Sequence, residues 1–195
     1  MSIVLSFATT EFAVMKADGR ELSSDNKIIN EHINKISIIG EHCAAGYAGK
    51  VNIITLVINK ALEICKECGI SQSELTVSTF AEICQKVLIN NTEFLSEVDD
   101  PCMNLVVIGL ENNKIIMKSL GTGNNFEIID RSPAEKNQFT CFSLTSDFAE
   151  NAIQFNEFFN EKLSVSENMD NYIKYIASID PSVNTNITTI SIKRK

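Results

Sequence analysis

The apolar residues of this chain change their spacing in blocks, and the order of the blocks limits the folds it can adopt. From Ile3 to Tyr47 they cluster in short β-rich runs, and from Ile54 to Leu88 they recur every three and four residues. Short runs return between Asn104 and Ser143, helical spacing between Phe148 and Ile176, and a last short run closes the chain at Ile187–Ile192. The predicted order is four strands, two helices, three or four strands, two helices and one strand. Strand blocks alternating with helix pairs suit an α+β layered fold, not a parallel sheet built from βαβ units.

Within that order, Ile3–Phe7 and Phe12–Met15 predict a hairpin at the extreme N-terminus. Ser23 to Asn34 reads as a polar loop, after which Lys35–Ile39 and His42–Tyr47 form a second pair around Gly40-Glu41. The first helix carries Ile54, Val57, Ile58, Ala61, Leu62 and Cys65 on one face and stops at Gly69. The second carries Val77, Phe80, Ala81, Cys84, Val87 and Leu88, with Thr79 and Glu82 at capping-box spacing. Strands are expected at 104–110, 114–119, 126–129 and 139–143, the first two joined by Glu111-Asn112-Asn113. A third helix presents Phe148, Ala152, Phe155 and Phe159. A fourth presents Met169, Tyr172, Ile173 and Ile176, with Ser164 and Glu167 as its capping box. No repeat or linker interrupts the series, so residues 1–195 read as a single domain.

Composition narrows the function. With 17 basic against 25 acidic residues, the net charge of -8 argues against a nucleic-acid partner held through its phosphates. No secretory signal precedes the first strand, and no apolar run approaches the roughly 18 residues needed to span a bilayer. The expectation is a cytoplasmic protein with no membrane partner, in which Cys43, Cys65, Cys68, Cys84, Cys102 and Cys141 are free thiols. The Cys65-Lys66-Glu67-Cys68 pair lacks a second pair and His32 and His42 lack ligand spacing, so neither metal nor cofactor is expected. Gly121-Thr122-Gly123 lacks the lysine of a phosphate cradle and reads as a turn.

The chemistry-bearing residues start at Met1-Ser2. A small second residue favours removal of the initiator Met, which leaves a hydroxyl and a free α-amine on one residue. That amine, with an ordinary pKa near ~7.7–8.0, can take the hydroxyl proton, so one residue supplies both nucleophile and base. Three further clusters follow: Ala17-Asp18-Gly19-Arg20 closing the second strand, Asn34-Lys35-Ile36 opening the third, and Ala45-Gly46-Tyr47-Ala48-Gly49-Lys50 running from the fourth strand into a helix.

On these residues the chain resembles the β-type subunits of proteasomes and their bacterial relatives, a family of N-terminal-nucleophile hydrolases. The resemblance implies a four-layer αββα sandwich. It also implies that Ser2 stands where the family has its catalytic Thr, that Lys35 is the catalytic Lys lowering the α-amine's pKa, that Asp18 holds and orients it, and that the Gly49 N–H binds the oxyanion. Arg20, Tyr47 and Ala48 fall at positions on the substrate side. Tyr47 matches the floor of the primary pocket, which implies medium-sized apolar side chains in a peptide or unfolded-protein substrate. Asp180 aligns with the family's second supporting Asp. Val183 stands where a Ser usually follows, and Ser143-Leu144-Thr145-Ser146 stands where the family has a Gly-Ser-Gly-Ser turn. A homo-oligomeric ring and an ATPase unfoldase partner are further implications. Two other readings stay open: an inactive proteasome-like subunit acting as scaffold, and an amidase of the wider group acting on a small amide.

Overall fold

The computed structural model describes residues 3–23, 25–49, 51–91, 103–136, 138–144 and 154–194. Two sheets lie face to face. The first runs in the order β10-β1-β2-β11, from strands Phe139–Leu144, Val4–Thr9, Phe12–Ala17 and Thr188–Lys193. The second runs β5-β6-β7-β8-β9, from Ile36–Gly40, Cys43–Gly49, Met103–Glu111, Lys114–Gly121 and Ile129–Asp130. Every pairing in both is antiparallel. Helices α1 (Val51–Glu67) and α2 (Val77–Asn90) cover the second sheet, while α3 (Phe155–Phe158) and α4 (Val165–Ile179) cover the first. The result is the expected four-layer arrangement.

Side-chain size explains the layering. Alternate residues of a strand point to opposite faces, and here each face has its own character. Ile3, Leu5 and Phe7 meet Tyr172, Ile173 and Ile176 of α4 in one core. Cys43, Ala45 and Tyr47 meet Ile54, Val57, Phe80 and Cys84 in another. Between the sheets, the small or unbranched Ala8, Ala13, Ala17, Ala44, Ala48, Met15 and Met117 lie among Val4, Ile36, Val106, Ile108, Ile115 and Leu144. Gly46 belongs to this middle layer. A Cβ there would collide with Met15 Sδ and sit 2.8 Å from Val4 Cγ1. The sheets therefore pack closely where β1, β2 and β6 cross, and that approach brings Ile3, Asp18 and the end of β6 to one rim.

Element ends follow local chemistry. Asn112 and Asn113 both have positive φ (50° and 58°), the conformation of a two-residue hairpin turn, and Asn tolerates it. Gly69 at φ +73° ends α1 in a Schellman motif, with Ile70 N donating to Cys65 O and Gly69 N to Lys66 O. The capping box of Ser164 and Glu167 opens α4 as the spacing predicts. The second helix starts differently: its N-cap is Thr76, whose side chain accepts from Thr79 N, so Thr79 lies inside the helix and does not cap it.

The loop expected at Ser23–Asn34 contains β4 (Ile28–Asn30), which forms a small hairpin with β3 (Glu21–Leu22) just before it, so six strands and not four precede the first helix. Both are too short to show an apolar alternation. The strand expected at 126–129 is reduced to Ile129–Asp130, because Gly121 leads into a 3₁₀ turn at Thr122–Asn124 and Phe126 adopts φ 61°. Of the third predicted helix, Phe155–Phe158 is helical, while Phe148 and Ala152 lie outside the described residues, as do Cys102, Thr145 and Ser146. Cys65 is buried in the core under α1 while Cys68 is exposed, so the pair faces two environments. No described helix is long and apolar enough to cross a membrane.

Candidate active site

Asp18 directly follows β2 with a fully buried side chain, and both of its oxygens are used. Oδ1 accepts from Lys35 Nζ at 2.8 Å and from the Ile3 backbone N at 2.9 Å. Oδ2 accepts from Arg20 N at 2.9 Å and from Asn184 N at 3.4 Å. The Asp18 N–H donates back to Ile3 O at 3.2 Å, so Asp18 grips the start of β1 through side chain and backbone. Four donors satisfy the hydrogen-bonding capacity of the buried carboxylate.

Lys35, just before β5, is likewise fully buried. Burial pulls its pKa below the ordinary lysine value, and the Asp18 charge opposes that pull. Its carbonyl accepts from Tyr47 N at 3.1 Å, which ties the base of the side chain to β6. A buried Lys–Asp pair of this kind is an ammonium held at a fixed point by a fixed anion.

Gly49 lies at the end of β6 with φ +115°, a conformation that favours glycine, and it stands one residue from the start of α1. Tyr47 is 5% exposed; it points to the helix side of the sheet and its hydroxyl donates to Asn34 O at 2.9 Å. Ala48, 6% exposed, faces the middle layer. Ser2 lies outside the described residues.

Arg20, expected on the substrate side, directs its guanidinium to Glu31, with Nε to Oε2 and Nη2 to Oε1 each at 3.1 Å, and Nη1 to the Pro181 carbonyl. Glu31 is held below the usual carboxylate pKa by Arg20 first and Asn184 second. Asn184 completes the cluster: its Oδ1 accepts from Gly19 N (2.9 Å) and Asn186 N (3.1 Å), and its Nδ2 donates to Glu31 O (2.9 Å) and to the Glu31 carboxylate. Three separate segments, 18–20, 31 and 181–186, are thereby locked around Asp18.

Asp180 caps the C-terminus of α4, and its Oδ1 accepts from both Ser182 N (2.8 Å) and Ser182 Oγ (2.6 Å). Val183 is buried against α4. The hydroxyl beside Asp180 is that of Ser182, one residue before Val183. Sequence reading missed Glu31, Ser182 and Asn184. The density of turn formers in Asp180-Pro181-Ser182-Val183-Asn184 was a usable signal for the last two. Nothing local marks Glu31.

A family model described as proteasome subunit matches residues 2–128. Among solved structures, the crystal structure of eukaryotic HslV from Trypanosoma brucei superposes with a TM-score of 0.70 at 13% identity, covering 98% of this chain and 99% of that one. The curated proteins give no match. The family match, spanning well over half the chain and including Asp18, Lys35 and Gly49, establishes that this protein belongs to the proteasome subunit family and has its N-terminal-nucleophile hydrolase fold.

Proposed function

We propose that the protein is a peptidase in which Ser2, exposed by removal of Met1, is the nucleophile and its own α-amine the general base. The observation that carries this reading is the double engagement of Asp18 Oδ1. One carboxylate oxygen holds the Lys35 ammonium and also the N–H of Ile3, the residue that follows Ser2. A buried ion pair anchored to the first strand supports the supply of a fixed positive charge beside an N-terminal nucleophile.

In the proposed reaction the Ser2 hydroxyl oxygen attacks the substrate carbonyl carbon while the α-amine takes the hydroxyl proton. The Lys35 charge disfavours a second cation and so keeps that amine neutral. The Gly49 N–H donates to the tetrahedral oxyanion; loss of such a donor typically costs about 10²–10³ in rate. Collapse breaks the peptide C–N bond, the α-ammonium returns its proton to the leaving amine, and an ester to Ser2 remains. Water, deprotonated by the same amine, then hydrolyses the ester. Asp180, braced by Ser182, supports the loop that carries Asn184.

The substrates proposed are peptides or unfolded proteins with medium-sized apolar residues; Tyr47 and Ala48, nearly buried on opposite faces of β6, form no common surface for them. A cytoplasmic homo-oligomeric ring served by an ATPase unfoldase is the proposed setting, and residues 1–195 its single domain. A scaffold without activity is the second reading. Val183, which carries no hydroxyl where the family usually has one, favours it.

Intact mass of the purified protein, with labelling by a peptide epoxyketone that needs both hydroxyl and free amine, tests the first reading. Loss of Met1 and one adduct per chain are expected, and Ser2→Ala should abolish the adduct. An adduct that survives in Ser2→Ala refutes the nucleophile, and a retained Met1 with no labelling selects the scaffold.

A further inference from the structure

Away from Asp18 and Lys35, where β8, β9 and β10 converge, a cavity of about 180 Å³ is lined by Asn104, Ser119, Gly121, Asn124, Arg131 and Phe142, among others. It sits at the same end of the second sheet as Gly49, since Ala48 pairs with Asn104 and Asn104 with Gly121. Arg131 dominates its chemistry. The Arg131 backbone is pinned to β8, its N–H donating to Met117 O at 2.8 Å. Its side chain is fixed twice more: Nε donates to Ser119 Oγ at 2.7 Å, and Cζ lies 3.8 Å from the centroid of the Phe142 ring.

These restraints hold the guanidinium without neutralising it. Lys16 meets Asp170 at 2.6 Å, Arg20 meets Glu31 and Lys35 meets Asp18. Arg131 meets no carboxylate among the described residues, and its Nη1 and Nη2 make no hydrogen bond there. Partial burial lowers its pKa, which registers the cost of withdrawing the cation from water. A guanidinium remains charged in a protein, and its planar fork of donors is well matched to an anion that enters the cavity beside it. Ser119 Oγ, which accepts from Nε, keeps its own proton to donate.

We propose that this cavity is a carboxylate-binding site, in which the terminal nitrogens of Arg131 take both oxygens of a carboxylate and Phe142 and Ile129 flank a short apolar stem. The planar fork of Arg matches a carboxylate bidentately. The volume suits a carboxylate with a few carbons. The group can come from a free small acid or from the end of a peptide, and the site does not depend on the peptidase reading.

The test is titration of the purified full-length chain with N-acetylglycine at low salt, followed by calorimetry and by the NMR signal of the Arg131 Nε–H. Saturable binding with Kd on the order of 1 mM is expected, and N-acetylglycinamide should not bind. Arg131→Gln and Arg131→Lys should each weaken binding about tenfold or more, because neither presents the fork. Ser119→Ala, which leaves the cation in place, should weaken it a few-fold and serves if the Arg131 variants do not fold. A longer acetylated peptide ending in glycine that binds more tightly than N-acetylglycine identifies a peptide terminus as the ligand, and equal affinity identifies a small acid. Either supports the site. Absence of saturation below about 50 mM, equal binding by the amide, or unchanged affinity in Arg131→Gln overturns it.

Discussion

Replacing Asp18 by Asn tests the buried ion pair most directly. The side chain keeps its shape but loses its charge and gains an amide that donates where the carboxylate accepted. Of the four donors converging on Asp18 (Lys35 Nζ, Ile3 N, Arg20 N and Asn184 N), those facing that amide meet a donor in place of an acceptor. Lys35 is left buried without a counter-charge. Removing one partner of a buried pair typically costs about 3–5 kcal/mol, and each kcal/mol lowers Tm by about 2–4 °C in a domain of this size. Asp18→Asn should therefore melt about 6–20 °C below wild type.

The loss should also depend on pH. The folded-state pKa of Lys35 is depressed, so above it the unfolded chain holds the extra proton and stability rises with pH. Without Asp18 the depression deepens and the rise begins at lower pH. Urea unfolding at pH 7 and pH 9.5 measures both effects. Adding Lys35→Met to Asp18→Asn should restore part of the loss, because the uncompensated charge is gone. A single variant within about 1 kcal/mol of wild type would refute the argument. So would a double variant as unstable as the sum of the two singles, since groups in contact are expected to couple by about 0.5–3 kcal/mol.

Gly46→Val should destabilise by about 1–3 kcal/mol, read from the urea midpoint, because its side chain enters space held by Met15 and Val4. An unchanged midpoint would mean that the sheets part easily there. Asn184→Ala strands the Gly19 N–H, while the Glu31 carbonyl keeps its bond from Asn186 Nδ2, and should cost about 1–3 kcal/mol by the same measurement. Glu31, whose folded pKa is depressed, contributes stability above its ordinary value of 4.5 that is lost as pH falls through the folded value, so Glu31→Gln should flatten the acid limb of the stability curve. Thiol reagents should modify Cys68 in the native state, while Cys43, buried with its pKa pushed up to about 12, and the buried Cys65 and Cys84 should react only on unfolding, as mass spectrometry would show.

The four-layer order was legible because it is written in periodicity. Runs such as Ile3–Phe7 and Met103–Glu111 are apolar on both faces, and only a strand packed between two layers needs that. The capping residues of α4 and the Asn112-Asn113 turn were equally readable, since each acts within a few residues of itself. Asp18, Lys35 and Gly49 were picked out by resemblance to the family's pattern, and the first two meet at 2.8 Å.

Other features had no local signature. The β3–β4 hairpin is too short to show a period. The role of Glu31 exists only because Arg20 and Asn184, the latter 153 residues further on, arrive beside it. Sequence alone determined the longer strands and helices and which residue types stand at the ends of β2 and β6, because hydrophobic period and turn chemistry are short-range. Only the tertiary structure decided that Asp18 holds Ile3 and Lys35 together, that Arg20 belongs to Glu31, and that Arg131 stacks on Phe142 and bonds Ser119. Those outcomes depend on which distant donors and acceptors the closely packed sheets bring within hydrogen-bond reach, and no local pattern records that distance.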